Sequence, residues 1–319
     1  MATACAEPEG PAGPGPPVRV SRFLTTAPAL ADQRYREGLA VFDYDTGLPL
    51  DVRGLEAPAA HVGDIRRYEI TYRSPMGGRV PASLMIPRTA GSAPALVLQH
   101  GLPGSHDDMA PLGYEIAGLG ATVIMIDAPW ARPGSDARFT GITFSPEDRA
   151  NQIQLIVDLR RAVDLLTGLP HVAGQRIAYL GVSYGGAMGG LLAGVERRIG
   201  SFVLEVGDGG LVTHVTGPED AGAGFFDLSS RERRRWLAAM EPIEPLYFVR
   251  HAAPSALYFQ NGTLDEAVPP PDARAYQRAG SEPKAIDWYP SDHLLPAEAR
   301  CDQLAWLETQ IDFPEDPAC

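Results

Sequence analysis

Ser183 sits in the run Gly181-Val182-Ser183-Tyr184-Gly185-Gly186, between a strand-like stretch, Arg176 to Leu180, and a small-residue segment, Ala187 to Gly194. A serine on so tight a strand-to-helix turn has strained backbone angles and needs small neighbours, and Gly181 and Gly185 supply the room. The bare Gly-x-Ser-x-Gly spacing arises too readily by chance to carry weight; the strand, turn and helix around it make Ser183 a candidate nucleophile. A serine hydroxyl attacks poorly unless a base takes its proton, so this chemistry requires a histidine and an acid to orient it. His293, in Pro290-Ser291-Asp292-His293-Leu294, follows the strand-like run Ala285 to Tyr289 and is the only histidine after Asp265. Asp265 lies just past the run Ala256 to Gln260, which puts its carboxylate at the same sheet edge as Ser183. Glu266, Asp208 and Asp292 compete for the acid's role, Asp292 least, because adjacent side chains diverge and cannot readily reach the neighbouring ring. The expected assignment is Ser183 as nucleophile, His293 as base and Asp265 as the group that holds the imidazole tautomer.

Acyl chemistry at Ser183 also needs donors for a developing oxyanion. The backbone N–H of Tyr184, directly after the nucleophile, is one candidate. The loop His100-Gly101-Leu102-Pro103-Gly104 offers the other, at Leu102, since Pro103 has no N–H to give. His100 is expected to brace that loop by hydrogen bonding. None of the 7 histidines forms a His-x-x-x-His pair with a nearby glutamate, so no local motif implies a metal, and the chemistry requires no cofactor.

These residues need a scaffold that brings them to one edge. Two alternating segments, Arg67 to Arg73 and Arg79 to Pro87, flank Ser74-Pro75-Met76-Gly77-Gly78 and read as an antiparallel hairpin. After it come short continuous apolar runs, Ala95 to Gln99, Thr122 to Asp127, Arg176 to Gly181, Phe202 to Val206 and Ala256 to Gln260, the pattern of parallel strands buried on both faces. Helical spacing lies between them, most clearly over Ser145 to Thr167. There Ser145 and Asp148 suggest a capping box, and Leu155, Ile156, Leu159, Ala162, Val163 and Leu166 form one stripe. Strand and helix alternate, so the fold class is α/β, a mostly parallel sheet covered by helices on both faces.

Residues 208–250 interrupt the alternation and are too long for an ordinary connection. Ser229 and Glu232 mark a helix start there, with Trp236, Leu237 and Met240 at helical spacing. The segment is expected to be a small cap over the strand ends, with Phe225, Phe226, Trp236 and Tyr247 as candidate pocket residues. Packing the cap onto the body is the competing role for these aromatics. Residues 1–20, proline-rich and without apolar periodicity, are expected to be a flexible tail, leaving 21–319 as one domain.

The chain has 319 residues, 45% of them hydrophobic, which is enough for a sizeable core. Its formal charge of -13, with no basic run, argues against a nucleic-acid groove or an anionic membrane surface as partner. The longest apolar runs fall short of a membrane span, and the N-terminus lacks the apolar stretch of a signal peptide. Its 3 cysteines, Cys5, Cys301 and Cys319, are too few and too scattered for a disulfide framework. A cytoplasmic location is the expectation.

The His100-Gly101 loop, the Gly181 to Gly185 elbow, Asp265 after its strand and His293 near the C-terminus together resemble the α/β-hydrolase superfamily over most of residues 66–319. The hairpin followed by His100-Gly101-Leu102-Pro103-Gly104 is similar to the branch of dienelactone-hydrolase-like proteins, acetyl xylan esterases and prolyl oligopeptidase catalytic domains. Dienelactone hydrolases proper use cysteine where this chain has Ser183, so their substrate is not carried over. Residues 1–65 are too short for the propeller of prolyl oligopeptidases. The resemblance implies a cofactor-free serine hydrolase acting on a small-molecule ester. A peptidase or amidase acting on short substrates, an acyltransferase, or a silent binding protein on the same fold are the alternatives.

Overall fold

A computed structural model describes residues 21–25, 27–88, 92–134, 142–217 and 224–317. The expected tail, 1–20, lies outside them. Nine strands form one sheet: β1 Ala60–Val62, β2 Ile65–Arg73, β3 Arg79–Pro87, β4 Ala93–Gln99, β5 Thr122–Ile126, β6 Val172–Val182, β7 Ser201–Glu205, β8 Ala256–Gly262 and β9 Lys284–Tyr289. Their order is β1-β2-β3-β5-β4-β6-β7-β8-β9, antiparallel from β1 through β3 to β5 and parallel from there on. The hairpin expected from the Gly77-Gly78 turn is β2–β3, with Arg73 opposite Arg79.

The helices are α1 Pro28–Leu39, α2 Ala110–Gly118, α3 Pro146–Thr167, α4 Tyr184–Val195, α5 Leu211–Thr216, α6 Ser230–Met240, α7 Pro245–Phe248, α8 Pro270–Ala279 and α9 Ala297–Ile311. Strand side chains alternate between two buried layers, as the period of two requires. Val97, Ile124, Tyr179, Phe202 and Phe259 face the layer that holds Leu155 and Leu159 of α3 and Leu191 of α4. Leu96, Leu98, Val123, Leu180 and Val203 face the layer that holds Ile116 of α2 and Leu304 and Leu307 of α9. Helices therefore cover both faces, and the strands are continuous apolar runs because neither face meets water.

The helix α3 starts as expected, but without a capping box. Ser145 Oγ accepts the Glu147 N–H at 3.1 Å, while the Asp148 carboxylate reaches back beyond the cap. It accepts from the N–H groups of Thr143 and Phe144, each at 2.8 Å, and from Trp236 Nε1 on α6 at 2.7 Å. With the Thr143 hydroxyl at 2.8 Å as a fourth neutral donor, this buried carboxylate is well satisfied, and it serves tertiary structure instead of its own helix end. The capping box at Ser229 and Glu232 does form. Cys301, on α9, is disulfide-bonded. Among the described residues, no helix is long and apolar enough to cross a membrane.

Candidate active site

The sheet order reverses at β4: the chain goes on to β5 on one side and to β6 on the other, with Gln99 paired to Gly181. Loops leaving such a switch point diverge and open a crevice at the carboxyl ends of the strands. The loop after β4 is His100 to Gly104, and the residue after β6 is Ser183. Ser183 has φ 57° and ψ -117°, outside the regions that ordinary side chains favour. The conformation is imposed from around it. Ser183 N–H donates to Glu205 O of β7 at 2.8 Å, and Tyr179 OH donates to Gly185 O at 2.7 Å. A Cβ on Gly185 would stand 2.4 Å from Gln99 O, and one on Gly181 2.2 Å from Gly185 O, so only glycine lets the chain double back here.

Ser183 Oγ lies 2.9 Å from His293 Nε2, and His293 Nδ1 lies 2.8 Å from Asp265 Oδ2. Asp265 is buried, and its other oxygen accepts the N–H groups of Ala267 and Val268 at 2.9 and 2.8 Å. A carboxylate only accepts, so the proton of a neutral imidazole sits on Nδ1 and the Nε2 lone pair faces the serine hydroxyl. This arrangement can move a proton from Ser183 to His293 as the serine oxygen attacks. Two of the competing acids are engaged elsewhere. Asp208 Oδ2 lies 3.0 Å from His214 Nδ1, and Asp292 Oδ1 accepts the Leu294 N–H at 2.9 Å.

His100 takes the bracing role. Its Nδ1 lies 2.8 Å from Gly101 O and its Nε2 accepts the Ala128 N–H at 3.1 Å, which fixes the proton on Nδ1. Burial pushes its pKa down, in keeping with a neutral ring. Leu102 borders two cavities that reach Ser183, one of about 540 Å³ and one of about 210 Å³, and Tyr184 borders the smaller. Among the described residues, no acceptor takes the N–H of Leu102 or Tyr184.

The four aromatics proposed as pocket residues are not in the walls of these two cavities. Phe225 is fully buried, edge-on to Phe23 and Phe226 and tilted against Phe144 and Trp236. Trp236 is tied to Asp148, and Tyr247 OH accepts the Thr25 N–H at 3.1 Å. Phe225, Trp236 and Tyr247 pack against the body, while Phe226 stays 41% exposed. The smaller cavity is walled instead by Ile142, Leu211, His214 and Val268, none of which the sequence marked as functional. Phe225→Ala should accordingly destabilise the fold by about 3–5 kcal/mol in denaturant unfolding, the usual cost of emptying a buried phenylalanine site. Phe226, 41% exposed, should change stability by about 0.5 kcal/mol or less on the same substitution.

A separate cluster, Glu69, His106 and Asp107, brings three potential metal-ligand atoms within 4.8 Å of one another. The Arg67 guanidinium pairs with both carboxylates, so a cation already occupies that position.

A family model described as the alpha/beta hydrolase fold matches residues 94–279, and the chain belongs to this family. No curated protein matches the sequence. Among solved structures, acetyl xylan esterase 1 from Thermoanaerobacterium sp. JW/SL YS485 is similar at a TM-score of 0.74 and 18% identity, over 91% of this chain and 96% of that one. An acetyl xylan esterase from Paenibacillus sp. R4 is similar at 0.71 and 18%, over 90% and 95%. A cold-adapted esterase from an Arctic intertidal metagenomic library is similar at 0.62 and 15%, over 82% and 100%. At such identities the likeness is one of fold.

Proposed function

We propose that the chain is a serine carboxylesterase. Ser183 Oγ attacks the acyl carbon while His293 Nε2 takes its proton, and the N–H groups of Tyr184 and Leu102 receive the oxyanion. The C–O bond to the alcohol then breaks as His293 returns the proton to the leaving oxygen. Water, deprotonated by the same imidazole, hydrolyses the acyl-enzyme. The observation that carries this reading is the unbroken line from Asp265 through His293 to Ser183, ending at two cavities that also contain Leu102. Solved esterases of the same fold support the choice of an ester as substrate. We read 208–250 as a cap whose first helix, α5, walls the smaller cavity through Leu211 and His214, while its later helices pack on the body.

A panel of aryl esters of graded acyl length, run beside matched anilides and with an added alcohol acceptor, tests the assignment. Ester hydrolysis should exceed anilide hydrolysis by at least about a hundredfold in kcat/KM, and EDTA should leave the rate unchanged. Anilide turnover equal to ester turnover would identify an amidase. Product appearing mainly as the new ester would identify an acyltransferase.

A further inference from the structure

The smaller cavity beside Ser183 is walled mostly by apolar side chains, among them Leu102, Ile142, Leu211 and Val268. Two imidazoles stand in that wall, that of His293 and one that the proposed mechanism does not use. His214, on α5, has Nδ1 3.0 Å from Asp208 Oδ2, and Asp208 is itself buried with its other oxygen accepting the Gly210 N–H at 3.0 Å. The carboxylate commits Nδ1 as a donor, as Asp265 does for His293. It leaves Nε2 as the ring's available atom: among the described residues no protein group bonds it, and the side chain is 28% exposed. Burial works against a charged ring, but the hydrogen bond to Asp208 and the charges of Asp208, Asp272 and Glu244 outweigh it and raise the pKa of His214. Nε2 can therefore accept a hydrogen bond from a neutral ring or donate one from a charged ring, and a hydroxyl, which both donates and accepts, suits either form. The buried Asp208 carboxylate behind the ring makes a neutral partner more suitable than an anion. At about 210 Å³ the cavity is below the usual range of roughly 300–1,000 Å³ for drug-sized ligands, so the group it admits is small.

We propose that His214 is a specificity-determining residue whose Nε2 hydrogen-bonds a hydroxyl on whichever small substituent of the ester enters this cavity. The assignment rests on the esterase reading. It makes short, hydroxyl-bearing esters preferred over plain hydrocarbon esters of the same size, because a site built to hydrogen-bond a substrate discriminates against the analogue that lacks the partner.

The test uses two isosteric pairs, one for each side of the ester: 4-nitrophenyl glycolate against 4-nitrophenyl propionate, and 2-hydroxyethyl acetate against propyl acetate. Comparing the oxygenated-to-hydrocarbon ratio of kcat/KM between wild type and variant cancels intrinsic ester reactivity. His214→Leu should lower that ratio at least about tenfold for one pair, and His214→Gln, which keeps a donor, should restore part of it. Asp208→Asn should retain the preference. There Gly210 N–H pins the amide oxygen, the amide nitrogen donates to Nδ1, and the ring proton is driven to Nε2. An unchanged ratio in His214→Leu for both pairs, or an equal loss on every ester with the fold intact, would overturn the role of His214 alone. A wild-type protein that cleaves none of the four esters would overturn the esterase reading and this proposal with it.

Discussion

Ser183→Ala should lower kcat for a 4-nitrophenyl ester by about 10⁴-fold or more while leaving the unfolding midpoint within a few degrees of wild type. The nucleophile and its base act as a unit, so removing the oxygen that attacks removes nearly the whole contribution of both. Folding should survive because the turn is held by backbone groups and not by the hydroxyl: Ser183 N–H to Glu205 O, Ala187 N–H to Ser183 O and Tyr179 OH to Gly185 O all persist in the variant. Alanine is small enough for the same positive-φ position, at a modest strain the serine already bears. The measurement is steady-state kinetics beside circular-dichroism melting. Retention of more than a tenth of the wild-type rate would place the nucleophile elsewhere.

Asp265→Asn is expected to cost about 10⁴-fold in kcat, comparable with the same change in other serine triads. The geometry supplies the reason. The N–H groups of Ala267 and Val268 would pin the amide oxygen where Oδ1 now lies, which turns the amide nitrogen toward His293 Nδ1. The ring must then carry its proton on Nε2, facing Ser183, and cannot take another. Asp208→Asn makes the same chemical change to a carboxylate that orients His214 instead, so on a simple acetate ester it should cost about tenfold at most. A crippled Asp208→Asn beside a near-normal Asp265→Asn would reverse the assignment.

The residues of the site were legible because each carries a local signal. Ser183 lies between two glycines on a strand-to-helix turn, and Asp265 and His293 each follow a strand-like run. The parallel strands were legible for the same reason that they are buried, as unbroken apolar runs. What local patterns do not encode is which distant chains meet. Nothing in the sequence around Asp148 indicates that its carboxylate would leave its own helix end for Trp236, 88 residues away. For the aromatics of 208–250 the sequence leaves pocket lining and packing equally open, because an aromatic reads alike whether its neighbour is a ligand or a core. His214 was passed over because one histidine six residues beyond an aspartate has no motif, and only the turn of α5 brings the two together. The short β1 and α1, in which only Ala31 and Gly38 are buried, have weak local patterns.

Asp148 has a consequence for engineering. Its carboxylate clasps Thr143 and Phe144, directly after the cavity-lining Ile142, and in the same grip holds Trp236 of α6. One wall of the cavity and α6 are thus clamped to a single side chain rooted in α3. A graft that transplants 208–250 from a relative without this aspartate–tryptophan partnership would arrive with a loose seam, leaving either an indole N–H or a buried carboxylate short of a partner. The portable module is therefore a discontinuous one, the Thr143–Asp148 turn together with α6, and chimeras cut at those two places should fold where exchanges of the contiguous segment do not.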